Sequence, residues 1–237
     1  MEQVPKGIDV PAGTDDVRVE QLDAAIWRIT VDRPAKRNAL SIAVRDAMSD
    51  VLDALAPRPD LKVVIVTGAP PVFSAGFDLD EFAAAEADPA LADRLWTSSN
   101  RWHAALRNFP LPLIAQVNGP ALAGGFDLAT MCDLRICSAS ATFGRPEVTF
   151  AAPIYSIVRD LLGGAVAREL AFTDRRLDAT EAHRLGLVSA VVPDADLAEA
   201  AVAWAHQVAI APADGLRHSK ALAVAGAKYA TDADLAW

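Results

Sequence analysis

Runs of apolar residues divide the chain into alternating strands and helices. Residues 17–31 contain two β-rich runs on either side of a Leu22-Asp23-Ala24 turn, and they predict a hairpin that ends at Pro34. The later run LKVVIVTG is continuously apolar and ends in Gly, which is typical of a strand buried on both faces. LPLIAQVNG predicts a second buried strand, and DLRICSA predicts a third strand. A shorter run, LVSAVVP, predicts one more strand.

Helical spacing and capping residues predict the elements between these strands. Ser41 is placed as an N-cap for IAVRDAMSDVLDALA, a helix that stops before Pro57. Further helices are predicted over residues 91–106 and, for GGFDLATMC, over 124–132. Past Pro153 the pattern is helical, and Asp178 and Glu181 have the spacing of a capping box. The stretch APPVFSAGFDLDEF is predicted to be a loop, and the chain from Asp194 to be helix without a strand.

Alternation of strand and helix predicts an α/β fold in which parallel strands are joined by helical crossovers. We expect a core over residues 1–193 and a helical C-terminal region over 194–237. Ligands in such sheets bind beyond the carboxyl ends of the strands. The two glycine-bearing loops, FSAGFDL and NGPALAGGFDL, both lie at that end.

Composition excludes several classes of function. The chain has 237 residues and 52% hydrophobic content, but no apolar run of the roughly 20 residues that a bilayer crossing needs. No basic-then-apolar leader pattern begins the sequence, so we expect a cytoplasmic protein. The net charge of −9 argues against partnership with nucleic acid or an anionic membrane. Cys132 and Cys137 lie in apolar surroundings and are interpreted as buried thiols rather than a disulfide or a metal site.

The two glycine loops suggest a site that stabilises a developing negative charge. Gly124 and Gly125 directly precede a helix, whose first N–H groups lack partners within the helix. The loop FSAGFDL can aim a second N–H, that of Phe77, at the same oxygen. Two such donors form an oxyanion hole. A glycine turn that serves only to pack a helix against a sheet remains the alternative.

Two acidic residues follow these loops. Asp127 lies three residues after Gly124, on the same face of the predicted helix, and Glu147 lies in FGRPEV, where Pro146 is expected to impose an extended entry and to break any helix. Two carboxyl groups in a half-apolar pocket suit proton transfer to and from carbon. The alternatives are that Asp127 is only a first-turn acid favoured by the helix dipole, and that Glu147 is only an acid in a surface loop. His103, on a predicted helix beside Trp102, is interpreted as a packing or surface residue.

These residues together resemble the crotonase, or enoyl-CoA hydratase/isomerase, superfamily. The resemblance runs from WRITVDRPAKRNALS through VVIVTGAPPVFSAGFDL, PLIAQVNGPALAGGFDLATMCDLRI and ATFGRPEV to ATEAHRLGLVSAVVP, which is most of the chain. It implies a spiral of ββα units with a C-terminal helical region. It also implies a homotrimer or hexamer that acts on acyl-CoA thioesters and needs no metal, and no cofactor beyond the coenzyme A of its substrate.

The resemblance implies a role for nine residues. The thioester oxygen would be held by the N–H groups of Phe77 and Gly124, and the two hydratase glutamates correspond to Asp127 and Glu147. The segment RPAKRNAL resembles the one that lines the CoA nucleotide; taken alone, its basic residues fit either a solvated loop or a phosphate-facing patch. The expected CoA contacts come from five residues: Lys36, Arg37, Ala39, Ala75 and Asp78.

Two departures from the family pattern bear on the reaction. Asp127 stands where hydratases carry Glu, and the loss of one methylene draws the carboxylate back by about 1.5 Å. The glycine-rich turn expected after Glu147 is replaced by AAPIYSIV, which brings Tyr155 near the site. The leading hypothesis is a 2-enoyl-CoA hydratase. An isomerase or another crotonase reaction that relies on Glu147 alone, and a non-catalytic acyl-CoA binder, are the alternatives; a Rossmann-type oxidoreductase is a more remote one.

Overall fold

A computed structural model describes residues 15–149 and 155–226 of the chain. Its nine strands are β1 Val17–Gln21, β2 Ile26–Val31, β3 Val63–Gly68, β4 Leu113–Val117, β5 Ala121–Leu122, β6 Leu134–Ser138, β7 Thr142–Gly144, β8 Arg176–Asp178 and β9 Ala190–Val192. The main sheet has six strands in the order β1-β2-β3-β4-β6-β9, and a small sheet has the order β5-β7-β8.

Strand pairing confirms the predicted α/β architecture. β1 and β2 form the expected antiparallel hairpin, and its turn is held by Asp23 Oδ1, which accepts hydrogen bonds from the N–H groups of Ala25 and Ile26. The other four pairings in the main sheet are parallel. The predicted apolar runs correspond to β3, β4, β6 and β9. The small sheet was not predicted, because strands of two or three residues contain too few positions to show a period.

Eight helices connect or cover these strands within the described ranges. They are α1 Ile42–Leu55, α2 Leu79–Ala85, α3 Pro89–Asn108, α4 Gly124–Met131, α5 Tyr155–Phe172, α6 Ala179–Arg184, α7 Leu197–Ala209 and α8 Ala213–Gly226. The described part of the chain beyond Asp194 contains helix and no strand, as expected. α5 is interrupted at Gly163, whose φ of 75° is not helical.

The predicted caps have two different outcomes. Ser41 caps α1 as expected, because its Oγ accepts a hydrogen bond from the Val44 N–H at 3.3 Å. Asp178 caps α6 by accepting from the Glu181 N–H at 2.7 Å. The Glu181 carboxylate does not complete a capping box, and instead forms ion pairs with Arg175 and Arg184.

Two local predictions were wrong. The loop predicted over residues 69–82 already gives way to α2 at Leu79, because Asp78 caps the helix by accepting from the Asp80 N–H at 3.1 Å. Pro146 does not break helical structure, but begins a 3-10 turn over Pro146–Thr149 shortly after β7. Proline is tolerated at the first position of such a turn because the N–H it lacks has no partner there.

The two sheets are linked by a repeated path of the chain. β4, β5 and α4 follow one another, as do β6, β7 and α5, so each unit places one strand in the main sheet, one in the small sheet, and then a helix. Isolated bridges continue the small sheet toward the N-terminus, joining Ser74 to Ala121 and Leu40 to Phe77. This succession of ββα units agrees with the expected spiral.

The main sheet separates two apolar clusters. Val64 and Val66 of β3 face the larger cluster, which also contains side chains of α1, α3 and α4. Ile65 faces the smaller cluster, which packs against α7 through Leu197 and Ala201. The alternation of side chains along a strand explains why β3 is apolar at every position.

Candidate active site

The loops after β3 and β4 are hydrogen-bonded to each other. The N–H groups of Phe73 and Ser74 donate to the Pro120 carbonyl at 3.1 and 3.2 Å, and the Leu122 N–H donates back to the Ser74 carbonyl at 2.9 Å. This pairing places Phe77 beside Gly124: a Cβ atom built on Gly124 would lie 3.5 Å from the Phe77 nitrogen. The structure therefore brings the two predicted oxyanion-hole donors together.

Both N–H groups are free to bind a ligand. Among the residues that the structure describes, neither the Phe77 nor the Gly124 N–H donates to a protein acceptor. The turn before Phe77 requires glycine, since Gly76 has a φ of +97°. Ala123, directly before Gly124, has φ 51° and ψ −126°, a conformation that is costly for a residue with a side chain. Strain retained beside two convergent donors is characteristic of a functional loop.

The Phe77 ring is held in place by a buried arginine. The guanidinium of Arg45, which is 0% exposed, lies 4.4 Å from the ring centroid. It donates hydrogen bonds to the Leu40 and Leu95 carbonyls at 2.6 and 3.2 Å. Burial lowers the pKa of Arg45 to about 10. The sequence reasoning missed this residue, although its position three residues after Ile42, in the apolar stripe of α1, could have indicated it.

A second buried arginine joins the two predicted acids. Arg145 is 1% exposed, and its Nη2 lies 2.7 Å from Asp127 Oδ1. Its Nη1 lies 3.4 Å from Glu147 Oε1. Asp127 and Glu147 therefore face one another across a shared cation. The sequence reasoning missed Arg145 too, although its alternate spacing after Phe143 at the end of β7 indicates an inward direction.

Glu147 has the properties of a proton donor near neutral pH. Burial, and secondly the charge of Asp127, raise the pKa of Glu147 to about 7, against the opposing effect of Arg145. Its Oε2 is buried without a hydrogen-bond partner in the described part of the chain. An unpaired buried carboxyl oxygen is rare in proteins, and functional sites are where such atoms are retained. Glu147 is not a surface acid, and Asp127 is more than a helix-terminal acid.

The five predicted CoA residues lie in two segments that touch. The Ala75 N–H donates to the Arg37 carbonyl at 3.0 Å, and Ala39 is buried beside them. Lys36 and Arg37 are exposed, and Lys36 forms an ion pair with Asp80. The structure brings these two segments together, and whether they bind CoA stays a prediction.

Two residues hold these segments together: Arg33, which was expected only as one of the basic residues of a solvated loop or a phosphate-facing patch, and Asn38, which was not predicted. Arg33 forms an ion pair with Asp78 at 3.0 Å, so that carboxylate does not stand free. Asn38 is fully buried and donates from Nδ2 to the carbonyls of Ala69 and Val72 at 2.7 and 2.6 Å. Its φ of 54° is a conformation that asparagine tolerates better than most residues.

The remaining predictions concern residues away from the two loops. His103 is 4% exposed, so it lies in the interior and not on the surface. Cys132 and Cys137 are free and buried, and burial raises the pKa of each thiol to about 12. Within residues 15–149 and 155–226, no helix is long and apolar enough to cross a membrane, and no cluster of His, Cys, Asp and Glu is placed to hold a metal ion. Most of the segment after Glu147, the side chain of Tyr155 and the end of the chain lie outside the described residues.

Comparison with known proteins identifies relatives over most of the chain. The family model described as enoyl-CoA hydratase/isomerase matches residues 21–236. A probable enoyl-CoA hydratase of Mycobacterium bovis is 38% identical over 84% of this chain and 77% of its own length. The mitochondrial enoyl-CoA hydratase domain-containing protein 3 of Rattus norvegicus is 38% identical over 78% of this chain and 62% of its own. The crystal structure of an enoyl-CoA hydratase from Bacillus anthracis superposes with a TM-score of 0.85 at 30% identity, over 93% of this chain and 86% of that one.

Proposed function

Because the chain belongs to the enoyl-CoA hydratase/isomerase family, the crotonase superfamily, and has its fold, we propose that it hydrates a 2-enoyl-CoA thioester. The observation that carries this proposal is the pairing of two N–H donors that bond to no acceptor in the described part of the chain with a carboxyl group whose pKa is about 7. Phe77 and Gly124 supply the donors, and Glu147, with its pKa raised to about 7, supplies the proton. Asp127 completes the pair of acids across Arg145.

The thioester oxygen binds between the two N–H groups. Addition of water to C3 moves negative charge onto this oxygen, and fixed donors stabilise that charge without having to reorient. Removal of one donor of this kind typically costs about 3 to 4 kcal/mol of barrier. Arg45, packed on the Phe77 ring at 4.4 Å, keeps the first donor in position.

The two acids divide the proton transfers. Asp127 takes a proton from the water as the water oxygen bonds to C3, and Glu147 gives its proton to C2. The proton on Asp127 is then released to solvent and Glu147 takes one up, which restores both groups. The net result adds one hydrogen and one hydroxyl across the double bond. Since the pKa of Glu147 is about 7, about half of the molecules hold this proton at neutral pH.

The substrate's CoA portion is proposed to lie along the joined segments that contain Lys36, Arg37, Ala39, Ala75 and Asp78. The exposed cations Lys36 and Arg37 suit phosphate groups.

We also propose that the protein forms a homotrimer or hexamer and that it is cytoplasmic. Nucleic acid is not a proposed partner, since the net charge is −9.

The direct test is the loss of conjugated enoyl-thioester absorbance with purified protein, over a panel of acyl chain lengths. A decline in absorbance together with formation of the 3-hydroxyacyl-CoA supports the hydratase. Tight binding of acyl-CoA without turnover at any chain length would instead identify a non-catalytic acyl-CoA binder.

The raised pKa of Glu147 predicts opposite pH dependences for two reactions at this site. Hydration requires protonated Glu147, so its kcat/KM is expected to fall about tenfold per pH unit above about pH 7. Dehydration must share that profile, because the overall reaction neither takes up nor releases a net proton. Exchange of the C2 proton of a saturated acyl-CoA in D2O requires ionised Glu147, and is expected to rise to a plateau above about pH 7. Parallel profiles for hydration and exchange would contradict the assignment.

The engagement of Asp127 by Arg145 at 2.7 Å favours double-bond isomerisation as a second candidate. In that reaction Glu147 alone takes a proton from C2 of a 3-enoyl-CoA and returns it to C4. Supplying a 3-enoyl-CoA and measuring the appearance of the conjugated thioester, before any hydration, separates the two reactions.

A further inference from the structure

The imidazole of His103 has one nitrogen that the fold leaves unpaired. Its Nδ1 lies 2.8 Å from the carbonyl oxygen of Ser99, one turn earlier on α3. A carbonyl accepts and does not donate, so Nδ1 carries the hydrogen and Nε2 presents a lone pair. Nε2 is buried without a hydrogen-bond partner in the described part of the chain. A histidine that serves only in packing usually has both ring nitrogens hydrogen-bonded. Nε2 is therefore a candidate acceptor for a hydrogen bond from a bound ligand.

The surroundings keep this imidazole neutral. Burial is the main cause that lowers the pKa of His103. The charges acting on it come from three helices: Asp127 of α4 favours the protonated form, while Arg45 of α1 and Arg107 of α3 oppose it. The Nε2 lone pair is therefore available at neutral pH.

His103 lies against the oxyanion-hole residue. Its ring centroid is 6.3 Å from that of Phe77, whose ring in turn covers Gly124 closely enough to exclude a Cβ there. The helix that carries His103 packs against α4, which carries Asp127. His103 thus lies beside the ring of Phe77, on a helix that packs against the helix of Gly124 and Asp127.

Resting on the hydratase function proposed above, we propose that His103 Nε2 accepts a hydrogen bond from the water that adds to C3, and from the C3 hydroxyl of the product. One oxygen of Asp127 is already bound by Arg145, and its side chain is one methylene shorter than a glutamate. A water is oriented for attack when two acceptors hold its two hydrogens. His103 supplies one acceptor and Asp127 the other, which takes the proton while Glu147 protonates C2.

Two substitutions separate this role from packing. Asn at position 103 places its amide where Nδ1 stands and retains the contact to Ser99, but has no acceptor at the position of Nε2. Gln places its amide oxygen near the position of Nε2. Wild type, H103N and H103Q are compared in hydration, in C2 proton exchange with D2O, in melting temperature, and in the affinities for 3-hydroxybutyryl-CoA and butyryl-CoA.

We expect the hydration rate of H103N to be about tenfold lower than that of wild type. We also expect wild type to bind 3-hydroxybutyryl-CoA about three- to tenfold more tightly than butyryl-CoA, and H103N to lose this preference, since it reflects one neutral hydrogen bond. H103Q should retain both. C2 proton exchange, which needs Glu147 and the N–H donors but no water at C3, should change less than about twofold in either variant, with unchanged melting temperature.

The outcomes distinguish this inference from the hydratase proposal. If wild type hydrates and H103N hydrates equally well, the role of His103 is overturned while the function stands. If H103N loses hydration and exchange in parallel, His103 is a packing residue and the inference also fails. If wild type does not hydrate any 2-enoyl-CoA, the hydratase proposal fails, and the preference for 3-hydroxybutyryl-CoA over butyryl-CoA then decides whether His103 binds a hydroxyl.

Discussion

Replacement of Glu147 by Gln is expected to lower hydration by about a hundredfold to ten-thousandfold, because general acid catalysis at carbon contributes that much. Gln has nearly the shape of Glu but no transferable proton. C2 proton exchange should fall equally, since both reactions pass through this carboxyl group. Initial rates with 2-enoyl-CoA and deuterium incorporation in saturated acyl-CoA measure the two effects.

The same variant should be more stable than wild type at alkaline pH. The folded-state pKa of Glu147 is raised from 4.5 to about 7, so wild type loses stability as pH rises through this interval. Gln cannot ionise, and the variant should gain on the order of 3 kcal/mol relative to wild type at pH 8. Denaturant unfolding at pH 4 and pH 8 measures this gain.

Glu199, an exposed acid of α7, provides the matched control. Glu199→Gln makes the same chemical change away from the site and should leave rates and pH dependence unaltered. Equal activities of Glu147→Gln and wild type would remove Glu147 from the mechanism.

Replacement of Gly124 by Ala is expected to reduce kcat for hydration by about a hundredfold to a thousandfold, the loss typical for one oxyanion-hole donor. The added Cβ would lie 2.7 and 2.8 Å from two carbons of the Phe77 ring. That ring is backed by Arg45 at 4.4 Å and by Trp102 at 6.0 Å between centroids, so it has little room to retreat. The collision therefore separates the two N–H groups that must converge on one oxygen.

Gly215→Ala is the control for this experiment, because a Cβ at Gly215 of α8 meets nothing within 4 Å among the residues that the structure describes. It should keep full activity and gain slightly in stability, as alanine generally does in a helix. Steady-state kinetics at saturating substrate and melting temperatures of both variants are the measurements. A fully active Gly124→Ala protein would show that the N–H pair does not hold the thioester oxygen.

Local patterns determined most of the architecture. The apolar runs at β3 and β4 are long enough to show burial, and Ser41 and Asp178 mark helix starts by a rule that involves neighbouring residues only. The small sheet was missed because β5 has two residues, and its pairing with β7 depends on residues more than twenty positions apart.

The residues of the candidate site were likewise predicted from the sequence only in part. Phe77, Gly124, Asp127 and Glu147 were found because each belongs to a motif with a turn, a helix start or a fixed spacing. Arg145 was not, because a cation beside a proline in a loop usually indicates exposure, and its burial becomes evident when β7 is placed against α4.

The sequence by itself predicted the strands of the main sheet, the helices other than α2, the two glycine loops and the two acids, since these depend on periodicity and on residues adjacent in the chain. Tertiary structure alone decided how these groups are placed and what surrounds them. The pKa of about 7 at Glu147 arises from burial and from Asp127, which lies twenty positions earlier. The unpaired nitrogen of His103 likewise depends on which atoms surround it. Electrostatic energies depend on distance and solvent exclusion in three dimensions, and neither can be read from spacing along the chain.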